Sequence, residues 1–251
     1  MSNPTPHVRT SPAAEAAPES SGDAVDTPAD VGRSTASSRV PTRRPGRAGG
    51  KRDTNRRERT EALHKSALGL FLERGVENVT VDDIAKAAGT AKGNFYRYAA
   101  DKRELVEALM APLTEAFDAA FARCDVRLQD ARSASALTPA YLGLAMELLE
   151  AVRVHPDAVL LWLQESRAPA VGARAPIAEF NRELTIKTIG LTVAAHRHGL
   201  LKKIPAEVSA LAVIGAVERL LIAYLRDNMF ANNPAAVVQS LVMLIMEGIS
   251  G

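Results

Sequence analysis

The stretch Val81-Asp-Asp-Ile-Ala-Lys-Ala-Ala-Gly-Thr-Ala-Lys-Gly-Asn-Phe-Tyr-Arg-Tyr98 reads as two short helices joined by a tight turn. Two such helices can cross steeply only if their backbones come close, and Ala85 is the small residue that permits it. The turn needs a residue tolerant of positive φ, which Gly89 supplies. Ile84, Ala88, Phe95 and Tyr98 then face inward as a small shared core. Thr90, Lys92, Gly93, Asn94, Tyr96 and Arg97 are left on the outer side of the second helix, where a helix-turn-helix carries its groove-reading residues. Lys92 suits phosphate or guanine, Asn94 a base edge, Tyr96 a phosphate, and Arg97 a bidentate contact. Gly93 lets the backbone approach closely. Thr80 and Lys102 stand at predicted helix N-termini, where free N–H groups attract phosphate. By spacing alone, the same residues also fit a helical hairpin whose Lys and Arg are merely solvated.

Upstream, Leu63, Ala67, Leu70 and Phe71 mark one face of a helix that starts near residue 54 and ends at Gly75. Residues 1–50 lack periodicity and are rich in Pro, Ser, Ala, Thr and Gly, so they are expected to be disordered. Bases including Arg43, Arg44, Arg47, Lys51, Arg52, Arg56, Arg57 and Arg59 crowd the end of this tail, a candidate DNA-binding arm or a solvated linker. Downstream, start signals recur. Thr80 is the predicted cap of the first short helix and Thr90 of the second. Asp101 and Glu104 form a cap pair for a long helix to about Cys124, with Pro112 a candidate kink. Thr138-Pro139, Pro156, Pro176, Pro205 and Asn233-Pro234 mark further helix starts. The reading is an all-α chain of about nine helices without strands, divided as tail 1–52, helix-turn-helix domain 53–100, and helical ligand-binding and dimerisation domain 101–251.

Composition narrows the function. Hydrophobic residues reach 47% but aromatics only 4%, which favours helices over a strand-rich core. The net charge of +2 is too small to argue for nucleic acid by itself. Cys124 is the single cysteine, so no internal disulfide or Cys-rich zinc site can form, and a reducing, cytoplasmic setting is expected. No secretory leader is recognised, and no apolar run reaches the ~18 residues of a membrane span. Catalysis finds little support. Gly46–Lys51 falls one residue short of a phosphate-binding loop, followed by Arg52 where Ser or Thr is required. His196 and His198 sit two apart on a helix and point away from each other. No catalytic residues, metal or cofactor are therefore expected. A non-specific DNA-coating protein acting through the basic tail is the other alternative.

From about Arg59 to Leu109 the chain resembles the TetR family of bacterial repressors. The resemblance rests on Ala67-Leu-Gly-Leu-Phe-Leu-Glu-Arg-Gly75, Val79-Thr-Val-Asp-Asp-Ile-Ala-Lys-Ala-Ala-Gly89, Lys92-Gly-Asn-Phe-Tyr-Arg-Tyr98 and Asp101-Lys-Arg-Glu-Leu105. It implies a three-helix DNA-binding domain on a larger helical body. Tyr96 and Lys102 would touch phosphate, while Thr90, Lys92, Gly93, Asn94 and Arg97 would line the groove. Ala99 departs from the family, which usually has Phe there. The implied function is a ligand-responsive repressor, a homodimer that releases double-stranded operator DNA when a small-molecule effector binds. Phe117, Phe121, Tyr141, Trp162 and Phe180 are the candidate effector contacts, with Met146, His155, Gln164, Glu165 and Asn181 beside them. Two apolar C-terminal helices, carrying Leu211, Ile214, Gly215, Leu221, Ile222, Val238, Leu241 and Ile245, are the candidate dimer interface. No membrane partner is expected.

Overall fold

A computed structural model describes residues 50–131, 133–197 and 204–249, all within one compact unit, Gly46–Gly251. The expected disordered segment before residue 50, including Arg43, Arg44 and Arg47, lies outside the described residues, as does His198. Among the described residues there are nine α-helices, one 3-10 turn and no strand. They are α1 (Lys51–Arg74), α2 (Val81–Ala87), α3 (Lys92–Phe95), α4 (Lys102–Asp130), α5 (Ala134–Val154), α6 (Pro156–Glu165), the turn Gly172–Arg174, α7 (Ala175–Arg197), α8 (Ala206–Leu225) and α9 (Pro234–Ile249).

α1 starts at Lys51, inside the segment assigned to the tail. Leu63, Ala67 and Phe71 recur every four residues and are all buried. They pack with Val76, Val79, Ile84, Phe95 and Leu105 into the core of the helix-turn-helix. Each large apolar side chain so buried contributes about 1.5–3 kcal/mol. Ala99 is buried in the same core, with half-buried Tyr98 packed against it. α4 runs to Asp130 rather than to Cys124, because its buried stripe continues through Leu128. Pro112 lies inside it.

α5 corrects a boundary. It begins at Ala134 after Ser133, and Pro139 lies inside the helix rather than at its first position. Packing decides this start. Leu137 is fully buried and Ala140 nearly so, which places the preceding turn against α4. Pro156 opens α6 as expected, and the Asn233 side chain accepts the Ala236 N–H at the start of α9 (3.2 Å).

Cys124 is fully buried, its Sγ 3.7 Å from the Ala140 carbonyl, and burial pushes its thiol up to about 12. The thiolate is the reactive form. Ellman's reagent should therefore titrate almost no thiol in the native protein and one per chain after denaturation. Rapid native labelling would contradict this burial.

α8 requires a second correction. Its length and a mean hydropathy of 1.9 meet the criterion for a membrane-crossing helix, although Glu207, Glu218 and Arg219 interrupt any continuous apolar run. In the fold α8 packs on α7 and α6, and Glu218 pairs with Arg167 before α7 (2.9 Å).

Candidate functional site

The helix-turn-helix is built by its caps and its turn. Thr80 caps α2 in a reciprocal box. Its hydroxyl accepts the Asp83 N–H (3.2 Å), while the Asp83 carboxylate accepts from the Thr80 N–H (2.9 Å) and hydroxyl (2.6 Å). Those bonds from the Thr80 hydroxyl and N–H hold the Asp83 carboxyl below its usual range. Gly89 turns the chain at φ 64°, and the Thr90 N–H returns to the Ala85 carbonyl (2.9 Å). Thr90 does not cap α3. Ala91 occupies that place, and the Thr90 hydroxyl instead accepts the Asn94 amide (3.0 Å). α3 is shorter than expected. After Phe95 the chain tightens, with Arg97 N–H on the Asn94 carbonyl (3.1 Å) and Tyr98 N–H on Phe95 (2.8 Å).

Phe95 faces inward and is fully buried. Lys92, Gly93, Tyr96 and Arg97 are exposed, and Asn94 and Thr90 are half-buried beside them. Tyr96 stands 54% exposed, edge-on to the Phe95 ring at 5.5 Å. A Cβ added at Gly93 would meet nothing, so this side of α3 is open. Lys92 reaches Asp82 (3.1 Å), a pair exposed at both ends and weak enough to exchange for a phosphate. Arg59 on α1 shares a polar cleft with Gly89, Thr90 and Asn94, a placement that sequence spacing did not reveal.

Lys102 differs from expectation. Its ammonium donates to the carbonyls of Val76 (2.7 Å), Val79 (3.0 Å) and Glu77 (3.4 Å), strapping the α1–α2 loop to α4. Asp101 caps α4 through the Glu104 N–H (2.8 Å), and the Glu104 carboxylate accepts from the Ala100 N–H.

A second polar cluster ties that loop to α6. Glu165, only 4% exposed, accepts from the Val76 N–H (3.2 Å), the Arg174 guanidinium (2.6 Å) and the Gln164 amide (3.2 Å). Gln164 also donates to the Phe71 carbonyl at the end of α1 (2.9 Å). Gly75, at φ 81°, completes the fit, since a Cβ there would lie 3.3 Å from Glu165 Oε1. Burial opposes ionisation of Glu165, but the bonds from Arg174, Gln164 and Val76 outweigh it and hold the carboxyl below its usual range. Glu165 and Gln164, considered as effector contacts, are thus committed to the junction between α1 and α6.

A partly open cavity of about 220 Å³ is lined from α4, α5, α6, α7, α8 and α9. Phe117, Phe121, Tyr141 and Trp162 line it. Phe180 does not; it lies one layer behind, packed on Phe117 (5.4 Å) and Trp162 (5.5 Å). Asn181, Met146 and His155 are also off the wall, Asn181 accepting the Trp162 indole N–H (3.2 Å). Five of the eight candidate dimer residues, Ile214, Leu221, Val238, Leu241 and Ile245, also line this pocket. The reason is geometric. α8 packs on α7 and α9 on α5, so the inward faces of both helices line the pocket. Their outward faces carry Val208, Leu211 (59% exposed), Gly215, Met243 and Leu244 (69% exposed), with Ile222 half-buried at the margin. Met243 and Leu244 were absent from the sequence-based interface.

Fold and site together define an all-α protein of helix-turn-helix class. Residues 63–109 match the family "Bacterial regulatory proteins, tetR family". The chain is 33% identical over 106 residues to the HTH-type transcriptional repressor KstR2 of Mycobacterium tuberculosis, covering 42% of this chain and 50% of that protein. It is 37% identical over 49 residues to the uncharacterized HTH-type transcriptional regulator YvdT of Bacillus subtilis, covering 20% and 25%. The chain thus spans half or less of the length of these curated relatives. In fold, it resembles the solved KstR2 of M. tuberculosis (TM-score 0.57, 22% identity, 77% of this chain and 95% of that one). It also resembles FadR of B. subtilis in complex with stearoyl-CoA (TM-score 0.56, 16% identity, 75% and 98%).

Proposed function

We propose that the chain is a ligand-responsive transcriptional repressor. It acts as a cytoplasmic homodimer on double-stranded operator DNA and releases it when a small molecule enters the cavity. The reading rests on one observation above all. A short helix pinned by fully buried Phe95 presents Lys92, Gly93, Tyr96 and Arg97 outward, with Asn94 and Thr90 beside them. That is the chemistry of major-groove readout on a rigid support. Arg59 adds a cation at the edge of the same face. The assignment as a repressor follows the similarity to the transcriptional repressor KstR2. The outward apolar faces of α8 and α9 support pairing with a second copy, which would match two-fold operator symmetry. Lys102 serves as a strap on the loop rather than as a free phosphate ligand.

Selection of bound sequences from a random duplex pool tests this reading, with enrichment of a near-palindromic motif expected. Tyr96→Ala should weaken binding to all sequences alike. Lys92→Ala and Asn94→Ala should shift base preference, each by about 1–3 kcal/mol at the affected position. Binding without enrichment, seen only at low salt, would instead favour sequence-independent coating of DNA by the basic tail.

A further inference from the structure

We propose that the first turns of α1 form a cationic rail that lies along the DNA phosphate backbone, beside the half-site read by α3. This rests on the operator-binding reading and adds a second contact to it, made by Arg56 and Arg59, that carries affinity without reading bases.

α1 changes character along a single stripe. Leu63, Ala67 and Phe71 form its buried side, packed in the core of the helix-turn-helix. Arg59 lies four residues before Leu63 and Arg56 seven, so both continue that stripe to within about 40° around the helix. The face that is apolar inside the core thus turns cationic where the helix runs past it. At a rise of about 1.5 Å per residue, Arg56 stands about 10 Å beyond Leu63 along the axis. Thr54, Asn55, Arg56, Arg57, Glu58 and Arg59 are all exposed, so the described residues leave this overhang uncovered. Its charges are sorted by face. Arg57, roughly 100° around the helix from Arg56, pairs with Asp53 (3.6 Å). Glu58 and Glu61 fall toward the side opposite Leu63. Among the described residues, no carboxylate is placed against Arg56 or Arg59.

The stripe is continuous with the side of the molecule that carries α3. Arg59 shares a polar cleft with Gly89 and Thr90 of the turn and with Asn94 of α3. The overhang gains little from the fold. Gly50 at its N-cap supplies no side-chain acceptor, and no apolar residue stands between Asp53 and Glu61. Helices in proteins draw most of their stability from a packed apolar face, and here a phosphate strand supplies the missing partner. The guanidinium fork matches phosphate oxygens. Both arginines flank α3 instead of entering the groove with it, so they meet backbone, which carries no sequence information.

The test is operator affinity of the full-length protein as a function of salt, on the duplex selected from a random pool. Each phosphate neutralised by a protein cation contributes a slope of about −0.9 in log K against log salt. Arg56→Gln combined with Arg59→Gln should therefore make the slope shallower by about 1.8 per protomer bound. The motif selected by this double variant should be that of wild type, which also shows that the helix-turn-helix is intact. Arg57→Gln removes the same charge from a neighbouring face and should leave the slope close to the wild-type value. An unchanged slope in the double variant overturns the rail. So does a slope that falls equally for Arg56→Gln and Arg57→Gln, because bulk charge alone would then account for it. A changed motif overturns the assignment to backbone, since the arginines would then be reading bases. Failure of the operator-binding reading looks different: wild type itself would enrich no motif, and the rail would fall with it.

Discussion

Glu165→Gln should destabilise the protein by about 2–3 kcal/mol at neutral pH and weaken the link between the cavity and the helix-turn-helix. The carboxylate accepts three hydrogen bonds, one of them from the guanidinium of Arg174 at 2.6 Å. Charge-assisted bonds of this kind are worth about 1.5–3 kcal/mol each, and the partner cation left behind is itself mostly buried. Glutamine keeps the volume but loses the charge, and one end of its amide then presents donors to donors. Breaking a buried ion pair can cost about 3–5 kcal/mol, and the partial solvation of Arg174 reduces that figure. The pH dependence has a definite sign. The folded-state carboxyl lies below the usual range, so its stabilisation is fully present above the unfolded value of about 4.3 and is lost as pH falls through the folded value. The gap between wild type and variant in urea melts should therefore close in acid. A gap under about 0.5 kcal/mol at pH 7 would mean that the cluster is not a structural junction. The functional consequence follows from position. Trp162 lines the cavity one turn before Glu165 on α6, and Glu165 grips the first residues after α1. On the proposed reading, α6 is a short physical path from the cavity to the helix-turn-helix. In the variant, a saturating effector should change operator affinity less than in wild type.

The helix-turn-helix was legible in sequence because its constraints are local. Gly89 had to be small to take positive φ, Ala85 had to be small for the crossing, and Ile84 and Phe95 had to face inward. The same logic found Thr80 as a cap, although it missed Asp83 as the reciprocal partner. Where tertiary packing decides, local signals misled. Pro139 looked like a first helical residue, but burial of Leu137 drew α5 upstream. Glu165 was a polar candidate for the effector site. Its partners Val76 and Arg174 belong to other segments, and no spacing rule joins them. α8 and α9 are the clearest case. Each is apolar around most of its girth, so periodicity could not say which side faces inward. Cavity wall and outward face divided the expected interface between them, and Phe180 proved to be a layer behind the wall it was expected to form.

That division yields the second large effect. Leu211→Glu combined with Leu244→Glu should convert a dimer into a protomer of 26.8 kDa and lower operator affinity by about 100-fold or more, with helical content retained. Leu211 and Leu244 are 59% and 69% exposed within the single chain, so glutamate at either place stays hydrated and costs the protomer little. If the outward faces of α8 and α9 form the seam of a two-fold pair, these residues lie within it. Each new carboxylate would then be desolvated close to another, and an interface of apolar faces offers no cation to neutralise them. Gly215 sits on the outward stripe with open space where a Cβ would be, which leaves room for close approach of a second α8. The loss of affinity follows from geometry. Two linked recognition helices bind two half-sites with an effective concentration that a lone protomer lacks, typically worth 10²–10⁴. Sedimentation and operator titration check both halves of the expectation. Glutamate at Ile214 and Leu241 provides the contrast. These two line the cavity, so charge there should depress the melting temperature. A double Leu211→Glu, Leu244→Glu variant that sediments as wild type would place the dimer contact elsewhere, and the apolar outward face of α8 would then need a different partner.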